Sequence, residues 1–174
     1  RRPGYTDISS PRKEADNCEI LSGVFEGKTT GAPLALLIRN EDANPKHYDA
    51  LRNVYRPGHA DYPYEARYGI RDHRGGGRSS GRETAARVAA GAVAKQVIAA
   101  AGIRIFGHTL SIGAVYAKTF DPEQVNLNPA RCADAKAAVK MVKAILGAQE
   151  RGDSLGGVVE VIAIGAPAGL GDPV

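Results

Sequence analysis

The chain has 174 residues, 43% of them hydrophobic and 24% charged, with a formal net charge of +4 at neutral pH and a pI near 9.1. Such a size and composition suit one globular domain with a real core and exclude a disordered or fibrous chain. No apolar run reaches the roughly 18 to 20 residues of a membrane span, because the longest candidate is broken by Arg87, Lys95 and Gln96. The cysteines, Cys18 and Cys132, form no CxxC or Cys/His spacing, which argues against a bound metal or a disulfide framework and for a reducing, cytoplasmic setting. The chain starts at Arg1-Arg2-Pro3 without a methionine and stops at Gly171-Asp172-Pro173-Val174; it is expected to be a piece of a longer protein, with no targeting peptide.

Arg1 to Asn17 is polar, with Pro3-Gly4 and Ser10-Pro11 as turn signals, and reads as an irregular approach segment. Two β-prone runs, Glu19 to Glu26 and Ala32 to Arg39, are joined through Gly27-Lys28-Thr29-Thr30-Gly31 and predict a hairpin, with Pro33 at the start of its strand. Asn40 to Pro57 is loop-like, with one helical turn expected around Tyr48 to Val54. From Arg82 to Ala101 high propensity predicts a helix, with Ser80 and Glu83 as an S-x-x-E capping box and Gly102 as the stop. After its first turn only Arg87, Lys95 and Gln96 are strongly polar, so this helix is expected to be buried on most faces. Ile103 to Tyr116 is β-prone. Ala133 to Glu150 sets Ala135, Ala138, Val139, Val142, Ile145, Leu146 and Gln149 on i, i+3, i+4 spacing and predicts an amphipathic surface helix. Gly156 to Ala166 closes as a strand. Strands and helices mix without a strict βαβ repeat, which gives an α+β class with a helix layer on sheet.

Function is expected in the run from Arg56 to Arg87, which holds seven arginines, two histidines, four acids and no lysine, leaving a local charge of +3. Arginine offers a planar fork that fits phosphate and carboxylate. The loop Gly75-Gly76-Gly77-Arg78-Ser79-Ser80 leads into a helix N-terminus, a place where unpaired N–H groups face an anion. Most such loops only make a mobile turn, and the surrounding arginines favour anion binding here. GxxxxGK[ST] and GxGxxG are both absent, so neither a nucleoside triphosphatase nor a dinucleotide fold is supported. His59, directly after Arg56-Pro57-Gly58, is the candidate for proton transfer, although most histidines are structural or merely exposed. His73 is expected to be a contact residue, and His47 and His108 have no supporting context. Gly152-Asp153-Ser154-Leu155-Gly156-Gly157 approaches the GDSGG nucleophile loop of serine proteases but fails on an inserted leucine, and reads better as a glycine-rich turn. The basic pI leaves a non-enzymatic anion- or RNA-binding module as the alternative, without an RNP signature to support it.

The conjunction of RPGHADY with RDHRGGGRSSGRETAARVAAGAVAK closely resembles the chorismate synthases. RRPG, EILSGVFEGKTTGAPLALLIRN, GDSLGG and GAPAGLGDPV follow the same family in the same order, so the resemblance covers nearly the whole chain. The family's N-terminal block with a GESHG histidine and its C-terminal part have no match in these residues, so the resemblance implies that residues 1 to 174 are a single domain from the centre of a longer enzyme. The resemblance implies elimination of phosphate from 5-enolpyruvylshikimate 3-phosphate, giving chorismate. It also implies reduced FMN, acting without net redox change, and NADPH as the candidate reductant. On the family pattern His59 serves proton transfer, Arg78, Ser79 and Ser80 bind FMN, and Arg1, Arg56 and Arg82 bind the anionic substrate. The family's fold is a β-α-β sandwich with a buried helical layer between antiparallel sheets, assembled as a cytoplasmic homotetramer that needs no nucleic acid or membrane partner. Two departures stand out: Gly81 where alanine is commoner, and Tyr5-Thr6-Asp7 where many members carry a second arginine after RPG.

Overall fold

The computed structural model describes residues 4–9, 12, 14–75 and 77–171. The chain divides into two compact units, one of Arg1–Gly4 and Pro11–Val93, the other of Tyr5–Ser10 and Ala94–Val174. Both mix helices with small antiparallel sheets, so the α+β class holds. No helix among the described residues is long and apolar enough to cross a membrane.

The first unit opens with four short strands, β1 (Cys18–Ser22), β2 (Val24–Phe25), β3 (Lys28–Thr29) and β4 (Ala35–Ile38). β1 pairs with β4 and β2 with β3, so the expected hairpin is present but broken in two. The break falls at Gly23, whose φ is +86° and whose added Cβ would lie 2.9 Å from Leu34 Cα and from the Pro33 carbonyl oxygen. The tip is tighter than the expected Gly27 to Gly31 loop. Glu26 and Gly27 take φ of 47° and 75°, the two positive values of a type I′ turn, and Lys28 is already back in the ladder opposite Phe25. The strand of Pro33 starts at Ala35 instead, because the Pro33 carbonyl is turned to the Ser22 hydroxyl at 2.9 Å.

A 3₁₀ segment at Pro45–Leu51 replaces the turn expected around Tyr48 to Val54, and starts where Pro45 presets φ. The helix α1 (Asp61–Tyr68) has no hydrophobic stripe and carries Pro63 near its start, features that hid it in the sequence. Pro63 sits within the first turn, where its missing N–H has no intrahelical acceptor to lose. Gly69 ends the helix with φ of 73°, its N–H donating to the Glu65 carbonyl at 2.8 Å.

α2 (Glu83–Ala100) matches expectation in extent and differs in environment. No residue of it is buried, and Val88 and Val97 are each 69% exposed. The principal contacts between elements among the described residues are strand pairing and α3 on β5 and β6, and α2 is not among them. The reciprocal capping box is also absent: Ser80 Oγ accepts from the Arg82 N–H at 3.3 Å, while the Glu83 carboxylate turns to Arg78 and Arg87. The stop at Gly102 is a Schellman end, with Ile103 N–H donating to the Ile98 carbonyl at 3.1 Å and Gly102 N–H to Ala99 at 3.0 Å.

In the second unit β5 (Arg104–Ile112) lies between β6 (Val115–Tyr116) and β7 (Gly157–Ile164), all antiparallel. α3 (Ala135–Glu150) packs on β5 and β6. Ala130, Cys132, Ala137, Ala138 and Met141 form the core, with Ile112 and Val115 against it. Of the stripe expected on α3 only Ala138 is buried, and Val139 is 72% exposed. Met141 and Ala137, just off that stripe, face the sheet, because Met fills the irregular space beside Cys132. Asp134 caps α3: Oδ1 accepts from the N–H groups of Lys136 and Ala137 at 2.9 and 3.0 Å, and Oδ2 from Lys118 N–H at 2.9 Å. The Ala137 N–H first, then that of Lys118, hold this carboxyl at about 2 against an ordinary 3.8.

Two predictions follow from these positions. Gly23→Ala is expected to destabilise more than Gly31→Ala, since both must adopt positive φ but only Gly23 has backbone within 3 Å of the new Cβ. The shared cost is about 1–2 kcal/mol, and equal denaturant midpoints for the two variants would remove the contact at Gly23. Asp134→Ala is expected to lower the thermal midpoint at neutral pH. Because the folded carboxyl titrates below its unfolded value, the stabilisation is complete above pH 3.8 and lost as pH falls through about 2. The gap between variant and parent should therefore narrow over that window.

Candidate functional site

In the first unit Arg56-Pro57-Gly58-His59 closes a turn. His59 N–H donates to the Arg56 carbonyl at 3.3 Å, Pro57 presets the second position, and Gly58 takes φ of 69°, as a type II turn requires. The His59 side chain is exposed at its end. Asp61, two residues on and 3% exposed, pulls the chain back on itself. Its Oδ2 accepts from Arg56 N–H at 3.0 Å and Arg56 Nε at 2.9 Å, and its Oδ1 from Arg56 Nη2 at 2.9 Å. Arg71 Nη1 lies 3.7 Å from the same carboxylate.

Arg71 ties the surrounding chain to this point. Its side chain is 6% exposed, its Nη2 donates to the carbonyls of Leu51, Arg52 and Val54 at 3.0, 2.8 and 3.0 Å, and its Nε donates to Glu65 at 3.1 Å. The guanidinium also stands 5.3 Å over the Tyr55 ring. Hydrogen bonds from Arg56, and then the charges of Arg56 and Arg71, hold the Asp61 carboxyl far below the usual carboxylate range despite its burial.

The glycine loop approaches the same place through Tyr48. Gly75 has φ of 125°, and a Cβ there would meet the Tyr48 ring at 3.7 Å; the Arg56 guanidinium stands 5.6 Å from that ring's centre on its own account. Beyond the loop runs a groove of about 630 Å³, within the usual range for small-molecule sites. Leu34, Leu36, Ile38, Ala85 and Ala89 give it an apolar wall, and Arg74, Gly75, Gly77, Ser80 and Arg82, beside the acids Asp72 and Glu83, a polar end. That donor set fits a flat aromatic group bearing a phosphate, which makes FMN compatible with the residues present.

Arginine here does not mean free positive charge. Arg74 pairs with Asp72 at 3.0 Å and Arg78 with Glu83. Arg82 reaches Glu14 at 2.8 Å, Asp16 at 2.6 Å and the Arg39 carbonyl at 2.9 Å. Glu14 is also bonded by Arg12, and this bond first, then the Asp42 N–H and the Arg82 charge, lower its carboxyl. The pairs differ in hold. Arg78 has a side chain 77% exposed, so water screens its pair and an incoming phosphate can displace Glu83 at little cost, whereas Arg82 at 16% is fixed from both sides.

Of the residues singled out in the sequence, Arg56 and His59 share one turn, Ser80 and Arg82 line the groove, and Arg78 and Ser79 form the 3₁₀ turn between Gly77 and Ser80. Arg1 lies outside the described residues. Asp61, Arg71, Tyr48, Glu14 and Asp16 were not singled out. Asp61 had a local signal, an acid five residues after an arginine across a Pro-Gly turn. Glu14 and Asp16 had none, since they meet Arg82 across more than 60 residues of chain.

Comparison with known proteins bears on this arrangement. The chorismate synthase family profile matches residues 1–174. The chorismate synthase of Methanosarcina mazei is 56% identical over 178 residues, covering 100% of this chain and 49% of that protein. That of Syntrophus aciditrophicus is also 56% identical, covering 100% and 50%, and that of Chloroflexus aurantiacus 53%, covering 100% and 48%. A crystal structure of chorismate synthase superposes with a TM-score of 0.70 at 35% identity, over 89% of this chain and 46% of that one. The chain thus spans about half the length of the curated relatives it matches. Matched by the family profile from end to end, and sharing more than half its residues with such relatives, the chain belongs to the chorismate synthase family.

Proposed function

We propose that the whole protein, of which these residues are a central segment forming one domain, eliminates phosphate from 5-enolpyruvylshikimate 3-phosphate to give chorismate. The C–O bond to phosphate breaks, a ring proton leaves and a C=C bond forms, so there is no net redox change. Reduced FMN, when bound, supplies transient electron density to the ring and a nearby proton acceptor. The observation that carries the reading is the His59 turn, held by Asp61 and linked through Tyr48 to a glycine loop and groove of the right chemistry.

Each residue then has a task. His59 passes a proton through an imidazole, a group able to give and take one near neutral pH. Arg56 is gripped by Asp61 along its Nε–Nη2 edge, which leaves Nη1 for a substrate oxyanion. Arg82 meets the substrate from a position set by Glu14 and Asp16. Arg78, Ser79 and Ser80 hold the FMN phosphate, Arg78 by exchanging its exposed pair with Glu83. Arg1 is assigned to substrate binding on the family motif alone. The apolar groove wall keeps water from the reacting ring and strengthens every charge interaction at it.

The finer architecture belongs to the same proposal. A β-α-β sandwich would bury α2 as its helical layer, and a cytoplasmic homotetramer, with NADPH as the reductant of its flavin, would complete the enzyme. Exposed Val88 and Val97 on α2, and Val159 and Val161 on β7, support covering layers, because apolar surface left in water has an unmet driving force for burial.

Titration of FMN into the full-length protein is expected to show Arg78→Ala binding more weakly by about 1.5–3 kcal/mol, the usual loss for a charged hydrogen bond. Unchanged affinity would remove Arg78 from the FMN site. His59→Ala is expected to lower kcat by roughly 10²- to 10⁴-fold while substrate and FMN still bind. Near-normal kcat in that variant would contradict the assigned proton transfer.

A further inference from the structure

We infer that Asp61 is the positioning residue of the site: its buried carboxylate sets both the Arg56 guanidinium and the turn that presents His59. This rests on the proposed roles of Arg56 and His59, and concerns a residue to which no role has been given.

Asp61 is the first residue of α1, and the residue before it, Ala60, supplies no side-chain cap. Its carboxylate instead reaches backwards to the Arg56 N–H at 3.0 Å. The segment from Arg56 to Asp61 is thereby closed twice, by that bond and by the His59 N–H to the Arg56 carbonyl at 3.3 Å. His59 lies inside the closure with an exposed side chain, so its placement depends on backbone bonds rather than on packing around the ring. Loss of the outer closure would free the turn to pivot about α1.

The same two oxygens fix the guanidinium. Nε and Nη2 of Arg56 are each 2.9 Å from a different oxygen of Asp61, a bidentate geometry that determines the plane of the fork and the direction of its remaining edge. Arg71 anchors Asp61 in turn, being itself bound to three backbone carbonyls of the preceding segment. Position therefore passes from the 3₁₀ segment and α1 through Arg71 and Asp61 to Arg56 and His59. Displacement of a reacting group by about 1 Å can cost roughly 10²-fold in rate, so a carboxylate that touches neither substrate nor cofactor can still govern turnover.

The test compares Asp61→Asn and Asp61→Glu in the full-length protein, alone and combined with His59→Ala. Asparagine turns an N–H towards one Arg56 donor, and glutamate keeps the charge but moves it by one methylene. Both are expected to lower kcat about 10- to 100-fold and to raise KM for the substrate, with FMN affinity kept within about twofold of the parent. Combined with His59→Ala, either should reduce kcat less than about twofold further, since residues acting through one another are not additive. Hydrogen exchange gives a readout independent of turnover: amides of Arg56 and His59 should exchange faster in both variants, and those of α3 should not. If Asp61→Asn does not fold, Asp61→Glu decides alone. An equal loss of kcat with and without His59, or unchanged exchange in the turn, would overturn the positioning role. Normal kcat in His59→Ala alone would instead overturn the role assigned to His59.

Discussion

The Asp61 carboxylate accepts hydrogen bonds from the backbone and the guanidinium of Arg56 at a place only 3% exposed to water. A charge so buried survives only when its lone pairs are met; Arg56 meets them with three hydrogen bonds, and Arg71 adds its charge at 3.7 Å. Removal of the Arg56 side chain would leave the carboxylate one hydrogen bond, from the Arg56 N–H, and the Arg71 charge at 3.7 Å. Everything around these three side chains then has little freedom. The end of the 3₁₀ segment is bound to Arg71 through its carbonyls, α1 starts at Asp61, and His59 is caught between Arg56 and Asp61.

The arginine-rich stretch illustrates a graded use of charge. Arg56, Arg71 and Arg82 have side chains no more than 17% exposed and are bound to carboxylates that give the site its shape. Arg74 and Arg78, at 65% and 77%, sit in pairs that water screens. Only the second kind can change partner without loss of structure. An anionic ligand entering the groove would meet one arginine of each kind, Arg82 held by Glu14 and Asp16 and Arg74 in a pair that water screens.

What could be read from the sequence was whatever depended on neighbours in the chain. The hairpin, the extent of α2 and its stop at Gly102 follow from local propensity and from glycine at positive φ. The proximity of Arg56 to His59 follows from a Pro-Gly turn. Long-range partners were not legible: Glu14 and Asp16 reach Arg82 from the far end of the unit, and α1 has too few apolar residues to announce a helix. The Ser80–Glu83 capping box was misread because Arg78, five residues before Glu83, competes for its carboxylate more strongly than a backbone N–H does. The burial expected for α2 failed for another reason. Its apolar composition specifies a helix with covered faces, and a chain half the length of its relatives need not contain the cover.

β7, an edge strand, likewise leaves Val159 70% and Val161 67% exposed. The most direct measurement of the central claim is therefore made on the full-length protein: anaerobic conversion of 5-enolpyruvylshikimate 3-phosphate, with phosphate and chorismate both quantified. The expected result is equimolar release of the two with reduced FMN and none with oxidised FMN. No release with reduced FMN, or the same release without any flavin, would contradict the account.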